Sequence, residues 1–100
     1  MSTGDPLLVC VGDLMVDVAV EAPALARGGD VAGAVRLGPG GSAANVAAWG
    51  AVAGGRVRLV AGRGDDLAGR LLAAALEERG IELYPLGPVA GSSGAMLVVM

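Results

Sequence analysis

A glycine-rich segment that runs into an alanine-rich one, Gly38–Ala48, constrains this chain more than any other part of its sequence. Gly40 and Gly41 have no Cβ, so their backbone can adopt left-handed conformations and allow a ligand to approach closely. Ser42 can cap a helix that follows. Asn45 then lies on the first turn, where its amide can both donate to and accept from a polyol hydroxyl beside the free N–H groups of the helix.

Composition limits the kinds of core and partner that this chain can have. Of the 100 residues, 54% are apolar, yet there is no Phe, one Trp and one Tyr, so the core must consist of Leu, Val and Ala. A net charge of −3 gives no basic surface for nucleic acid. There is no His, and the single cysteine, Cys10, excludes an intrachain disulfide. Cys10 lies in an apolar run and is expected to pack in the core.

Neither a signal peptide nor a membrane span is predicted. The first basic residue is Arg27, so the charged start of a signal peptide is absent. The uncharged stretch from Leu37 to Gly55 has the length of a span, but it contains six Gly, a Pro, a Ser and an Asn. We therefore expect a cytoplasmic protein without a membrane partner.

Hydrophobic patterns predict alternating strands and helices. Leu7–Val11 is an apolar run typical of a central strand buried on both faces, and Asp13 and Asp17 follow its carboxyl end, where open α/β sheets bind ligands. Asp17–Glu21 and Val31–Leu37 alternate polar and apolar residues, which indicates exposed antiparallel strands.

The second half of the chain predicts two helices and three further strands. One helix runs from Ser42 to about Ala53, and Gly80 ends the other, which Asp65 or Asp66 caps. The apolar stripe of the second helix consists of Leu67, Leu71, Leu72, Ala75 and Leu76, and the strands are Val57–Ala61, Ile81–Leu86 and Gly94–Met100. The last strand ends the chain without a turn or cap, so we expect its neighbours to come from later sequence and the chain to be truncated.

Three motifs together resemble the N-terminal part of the ribokinase-like (PfkB) family of carbohydrate kinases, over roughly Leu7 to Met100. They are Gly-Asp-Leu-Met-Val-Asp at 12–17, Gly-Gly-x-x-x-Asn at 40–45, and Gly-Asp-Asp-Leu-Ala-Gly at 64–69. The resemblance implies an α/β fold with a mostly parallel sheet flanked by helices. It also implies a small β lid formed by strands near 17–21 and 31–37.

The resemblance implies ATP-dependent phosphorylation of a sugar or related polyol hydroxyl, with ATP and Mg²⁺ as cofactors. It places the substrate contacts at Asp17, Gly41 and Asn45, with Asp13 and Gly40 beside them. The family's catalytic base lies in a Gly-Ala-Gly-Asp segment, which this chain lacks. The resemblance therefore implies that the chain supplies the sugar-binding half and the lid, contains no catalytic residue, and leaves most of the ATP and Mg²⁺ contacts elsewhere. It allows a homodimer through the lid.

Other interpretations of these residues stay open at this point. Asp17 and Asp13 could be a water-facing carboxylate and a turn-forming one, and Asn45 could satisfy only its own helix turn. The acids at 65 and 66 favour capping over a metal site. Gly38-x-Gly40-x-x-Ala43 matches a dinucleotide-binding fingerprint formally, although the preceding strand is short and charged. A non-catalytic binding or dimerisation fragment, or a structural relic, is the remaining alternative.

Overall fold

The computed structural model describes residues 6–23, 27–87 and 91–99. They form six strands and two helices in the order β1, β2, β3, α1, β4, α2, β5, β6. Their bounds are Leu7–Val11 (β1), Met15–Glu21 (β2), Ala34–Gly40 (β3), Ser42–Val52 (α1), Arg56–Ala61 (β4), Leu67–Glu78 (α2), Ile81–Pro85 (β5) and Gly94–Val99 (β6). The predicted α/β class and the predicted helices are confirmed.

The core lies between the two helices and a parallel sheet of order β1-β4-β5. Val57, Leu59 and Ala61 alternate along β4 and are buried on the same face. Leu72 and Leu76 of α2 are fully buried in the same core. The buried side of α1 consists only of alanines, Ala43, Ala44 and Ala47, whose small side chains allow a helix to lie close to a sheet.

The prediction that β1 is buried on both faces is wrong for the part of the chain that the structure describes. Cys10 is buried, as predicted, but Val9 is 49% and Val11 is 64% exposed. Within the described residues β1 is an edge strand and pairs only with β4. An apolar run indicates a strand that is buried when its sheet is complete. How exposed the strand is depends on which neighbouring strands and helices are present.

A second sheet has the order β3-β2-β6, and because it contains the two strands expected to form a lid, we call it the lid sheet. β2 pairs with β3 in antiparallel register, with Asp17 opposite Gly38 and Met15 opposite Gly40. The predicted antiparallel pair is confirmed, but Gly38–Gly40 belongs to the end of a strand and not to a turn, because its backbone continues the ladder with β2. The turn itself is Gly41 alone, between β3 and α1.

The last strand has a neighbour within this chain, contrary to expectation. β6 pairs in parallel with β2, from Met15 opposite Gly94 to Val20 opposite Val99. All of its side chains are nevertheless exposed, because no helix covers either face of it among the described residues. The predicted end of this strand, Met100, lies outside the described residues.

Two details of the helices differ from the sequence pattern. Gly41, not Ser42, is the N-cap of α1, and no side chain caps that helix. In α2 the cap is Asp66, as predicted, and Gly80 follows its last turn with φ of +72°. Leu67 of the predicted stripe is 74% exposed, because it lies about 200° around the helix from the buried Gly69.

Candidate ligand-binding site

Three short segments meet where β1 ends and α1 begins. The N–H of Gly12, directly after β1, donates to the carbonyl of Val60 at 3.1 Å, which continues the parallel ladder. The next carbonyl, that of Asp13, accepts from the N–H of Ala44 at 3.4 Å. The backbone of Asp13 therefore occupies the N-terminus of α1 in place of a capping side chain, because one of the free N–H groups of the first turn donates to it.

Glycine is the only residue type that fits at position 41, between β3 and α1. Its φ of 100° and ψ of 151° lie in a region that residues with a Cβ rarely adopt. A Cβ at this position would also lie 2.6 Å from the carbonyl oxygen of Asp13. The glycine therefore brings the chain from the lid sheet to the start of α1 in one residue, with its backbone against Asp13.

Gly40 provides the space that the carboxylate of Asp17 fills. Gly40 is buried, Asp17 is half-buried, and both carboxylate oxygens lie well within 3.0 Å of the place where a Cβ of Gly40 would be. Real Cβ atoms essentially never have neighbours that near. The Asp17 carboxylate therefore lies against the backbone of Gly40, the residue before the N-cap of α1.

Asn45 and Asp13 have exposed side chains at the same corner. The backbone N–H of Asn45 donates to the carbonyl of Gly41 at 2.9 Å, as the first hydrogen bond of α1. No side-chain hydrogen bond of Asn45, Asp13 or Asp17 occurs within residues 6–23, 27–87 and 91–99. The predicted residues are thus brought to one corner with an amide and two carboxylates whose polar atoms are not used by the described fold.

The dinucleotide-binding alternative does not fit this geometry. A Rossmann fingerprint joins a buried strand of a parallel sheet to the following helix. Here the strand before α1 is β3, which is antiparallel to β2 and belongs to the lid sheet. Residues 38–43 therefore match the fingerprint in spacing only.

Asp66 at the start of α2 acts as the capping interpretation predicts. Asp66 Oδ1 accepts from the N–H of Gly69 at 2.8 Å. The same carboxylate also accepts from the N–H of Ser93 at 2.9 Å and from its hydroxyl at 2.7 Å. These donors hold the pKa of Asp66 below its ordinary value of 3.8, with the Ser93 N–H the largest cause. Sequence reasoning missed Ser93, because it is separated from Asp66 by 27 positions and no local pattern marks it.

Comparison with known proteins identifies the family. The family model for pfkB family carbohydrate kinases matches residues 5–99. The chain belongs to this family. Among curated protein sequences, none matches the chain significantly.

Solved structures agree with this assignment. A carbohydrate kinase from Agrobacterium tumefaciens is 25% identical with a TM-score of 0.78, and the match covers 96% of this chain and 31% of that one. A fructokinase with bound ATP from Xylella fastidiosa is 25% identical with a TM-score of 0.69, covering 94% and 29%. Phosphofructokinase-2 from Escherichia coli, at 21% identity, a TM-score of 0.76 and coverage of 95% and 30%, shares the fold. The chain spans about a third of the length of these structures. Within the described residues, no helix is long and apolar enough to cross a membrane.

Proposed function

We propose that the protein takes part in the ATP-dependent phosphorylation of a sugar or related polyol hydroxyl, and that this chain supplies the sugar-binding corner and the lid. The family supports phosphorylation of a carbohydrate in general. The observation that carries the proposal is the Asp17 carboxylate, which lies against Gly40 beside the N-terminus of α1 with no hydrogen bond from the described residues.

The residue types at this corner suit a polyol. The carboxylate of Asp17 accepts hydroxyl protons in charge-assisted hydrogen bonds, and Asp13 offers a second, more exposed acceptor. The amide of Asn45 binds a hydroxyl as either donor or acceptor. Gly40 supports the site by leaving space for the Asp17 carboxylate, and Gly41 brings the start of α1 to it.

Catalysis is proposed to depend on groups other than those of this chain. The chain lacks a Gly-Ala-Gly-Asp segment, and no cluster of three or more acidic, Cys or His side chains occurs in its described part. We therefore assign the catalytic base and most of the contacts with ATP and Mg²⁺ to groups outside this chain. The fructokinase relative has ATP bound. We expect residues 1–100 alone to show no sugar-dependent ATP consumption. Measurable turnover by the purified chain would contradict this division of roles.

The binding role can be tested by NMR on the ¹⁵N-labelled chain. D-Fructose and D-ribose are titrated separately, and 1,4-dioxane serves as the control because it has ring oxygens but no hydroxyl proton to donate. We expect either sugar to shift the amide signals of Asp17, Gly41 and Asn45, with no such shift for dioxane. Shifts at these positions that are equal for the sugars and dioxane, or absent for all three, would contradict the proposal.

We further propose that the protein is cytoplasmic, where its ATP substrate is available.

We also propose that the protein forms a homodimer through the lid sheet. Opposite residues of a sheet share a face, so the register places Val18 beside Leu37 and Leu97. The next row on this face consists of Val20, Val35 and Val99. Four of the six side chains are more than half exposed, namely Leu37, Leu97, Val35 and Val99. Apolar patches of this kind are typical of association surfaces.

The dimer proposal is tested by sedimentation velocity. Leu37→Glu places a charge in the middle of the apolar face and is expected to give a monomer. Arg36→Glu changes charge on the opposite face of the same strand and is expected to leave the dimer intact. A wild-type chain that stays monomeric at high concentration, or equal behaviour of the two variants, would contradict it.

A further inference from the structure

The turn that begins α2 is hydrogen-bonded to the segment that leads into β6. Three hydrogen bonds converge on the carboxylate of Asp66, and two of them come from Ser93. Capping α2 requires only the third, from Gly69. The carboxylate therefore does more than cap a helix, since it also binds Ser93 in the segment before β6.

Backbone groups of the same turn complete the contact. The N–H of Gly64 donates to the hydroxyl of Ser93 at 2.9 Å, and the N–H of Asp65 donates to the carbonyl of Gly91 at 2.9 Å. Gly64 is buried, and a Cβ on it would overlap the backbone N of Ser93. We call the contact between residues 64–66 and 91–93 the latch.

The latch lies at the point where the lid sheet meets the helical layer. Gly94 begins β6 directly after Ser93 and lies opposite Met15, the first residue of β2. Two positions further along, Met96 lies opposite Asp17. The chain also joins the lid sheet to the rest of the fold at residues 12–14 before β2 and at Gly41 after β3, and Val16 of β2 is buried in the core. The latch adds hydrogen bonds that hold the β6 side of the same sheet.

We propose that Asp66 and Ser93 are positioning residues for the sugar site: their hydrogen bonds fix the lid sheet against α2 and thereby hold the Asp17 carboxylate at the N-terminus of α1. This inference rests on the proposed function for its effect on sugar binding, but its structural part does not. The β2–β3 side of the sheet is held by its covalent connections and by the packing of Val16 in the core, whereas the latch holds the β6 side.

The electrostatics of the latch agree with this role. The pKa of Asp66 is lowered first by the N–H of Ser93, then by the Ser93 hydroxyl and then by the N–H of Gly69. The latch therefore contains Asp66 in its ionised form, because only the ionised carboxylate accepts hydrogen bonds from all three donors.

Two substitutions separate the latch from the cap. Ser93→Ala removes the hydroxyl and its bonds to Asp66 and Gly64. Asp66→Asn keeps an oxygen for Gly69, and Asn is as good an N-cap as Asp. Its amide NH₂, however, cannot accept from the N–H of Ser93. Ser92→Ala is the matched control, because Ser92 is exposed and forms no side-chain hydrogen bond within the described residues.

The experiment measures residual dipolar couplings on the ¹⁵N-labelled chain, which report the angle between the lid sheet and the β1-β4-β5 sheet, and the affinity for D-fructose and D-ribose by NMR titration. We expect Ser93→Ala and Asp66→Asn to change the angle while each sheet keeps its own couplings. Both variants should bind sugar about 3- to 10-fold more weakly than wild type. This factor corresponds to the loss of one or two hydrogen bonds between the protein and the sugar. Ser92→Ala should match wild type in both measurements.

The outcomes distinguish this inference from the proposed function. A wild-type angle in both variants would overturn the inference, even if the variants melt at lower temperature. An altered angle with unchanged sugar affinity would overturn the positioning role. An altered angle in a chain whose wild type binds neither sugar would support the latch and contradict the proposed function. If Ser93→Ala fails to fold, Asp66→Asn decides alone, since it retains the cap.

Discussion

The carboxylate of Asp17 lies where a β-carbon of Gly40 would otherwise be. The two residues come from neighbouring strands of the lid sheet, and Gly40 is followed by the N-cap of α1. A feature that looks like loop flexibility in the sequence is therefore a space for an acidic side chain. Because the carboxylate fills that space, any side chain at residue 40 must displace it.

We predict that Gly40→Ala weakens sugar binding by displacing Asp17. Gly38→Ala is the matched control, since Gly38 lies in the same strand opposite Asp17, and a Cβ there meets nothing within 4 Å. The affinities of the two variants for D-fructose and D-ribose are compared by NMR titration. We expect a loss of roughly tenfold or more for Gly40→Ala, corresponding to about 1.4 kcal/mol, and a near-normal affinity for Gly38→Ala. Equal affinities would show that the carboxylate has no role in binding.

A second prediction concerns Gly41 and the stability of the β3–α1 junction. Gly41→Ala should lower the free energy of unfolding by about 1–3 kcal/mol for its backbone conformation alone. Its Cβ would also lie 2.6 Å from the carbonyl of Asp13, which adds to the loss. Gly54→Ala is the control, because Gly54 has φ of +86° but open space around its Cβ. Urea unfolding should show a larger loss for Gly41→Ala; a loss no larger than that of Gly54→Ala would exclude the contact.

The sequence predicted those parts of the fold that local patterns encode. The helix over Ser42–Val52 follows from the alanine-rich run after the glycines, and the second helix follows from its Asp66 cap and its apolar spacing. The antiparallel pair β2 and β3 follows from alternation. The site residues were predicted from motifs, and the structure brings them to one corner, although their role in binding remains a prediction.

Other features depend on contacts between distant residues, which local patterns do not encode. The pairing of β6 with β2 and the contact of Ser93 with Asp66 join segments far apart in the chain. The exposure of Val9 and Val11 depends on what covers the outer face of β1, which an apolar run cannot specify. The cap of α1 was wrongly assigned to Ser42, because the backbone of Asp13 takes the place of a capping side chain.

A third prediction follows from the lowered pKa of Asp66. A carboxyl group whose pKa is lower in the folded state stabilises the fold above its unfolded pKa, near 3.8, and this contribution is lost as the pH falls through the folded pKa. The difference in free energy of unfolding between wild type and Asp66→Asn should be constant near neutral pH and shrink below about pH 4. Asp65→Asn controls for the change in net charge. A difference that does not change between about pH 6 and pH 3 would contradict the role of the ionised carboxylate.

The most direct test is the affinity of the Asp17→Ala chain for D-fructose and D-ribose at neutral pH, measured beside wild type and Glu21→Ala. Glu21 is the matched control, because it is an exposed acid on the same face of β2, four residues away at the far end of the strand. Losing hydrogen bonds to an ionised group costs about 1.5–3 kcal/mol, so Asp17→Ala should bind sugar roughly 10- to 200-fold more weakly, with Glu21→Ala close to wild type. An affinity of folded Asp17→Ala within about threefold of wild type, well under the tenfold that 1.4 kcal/mol represents, would remove Asp17 from the sugar site.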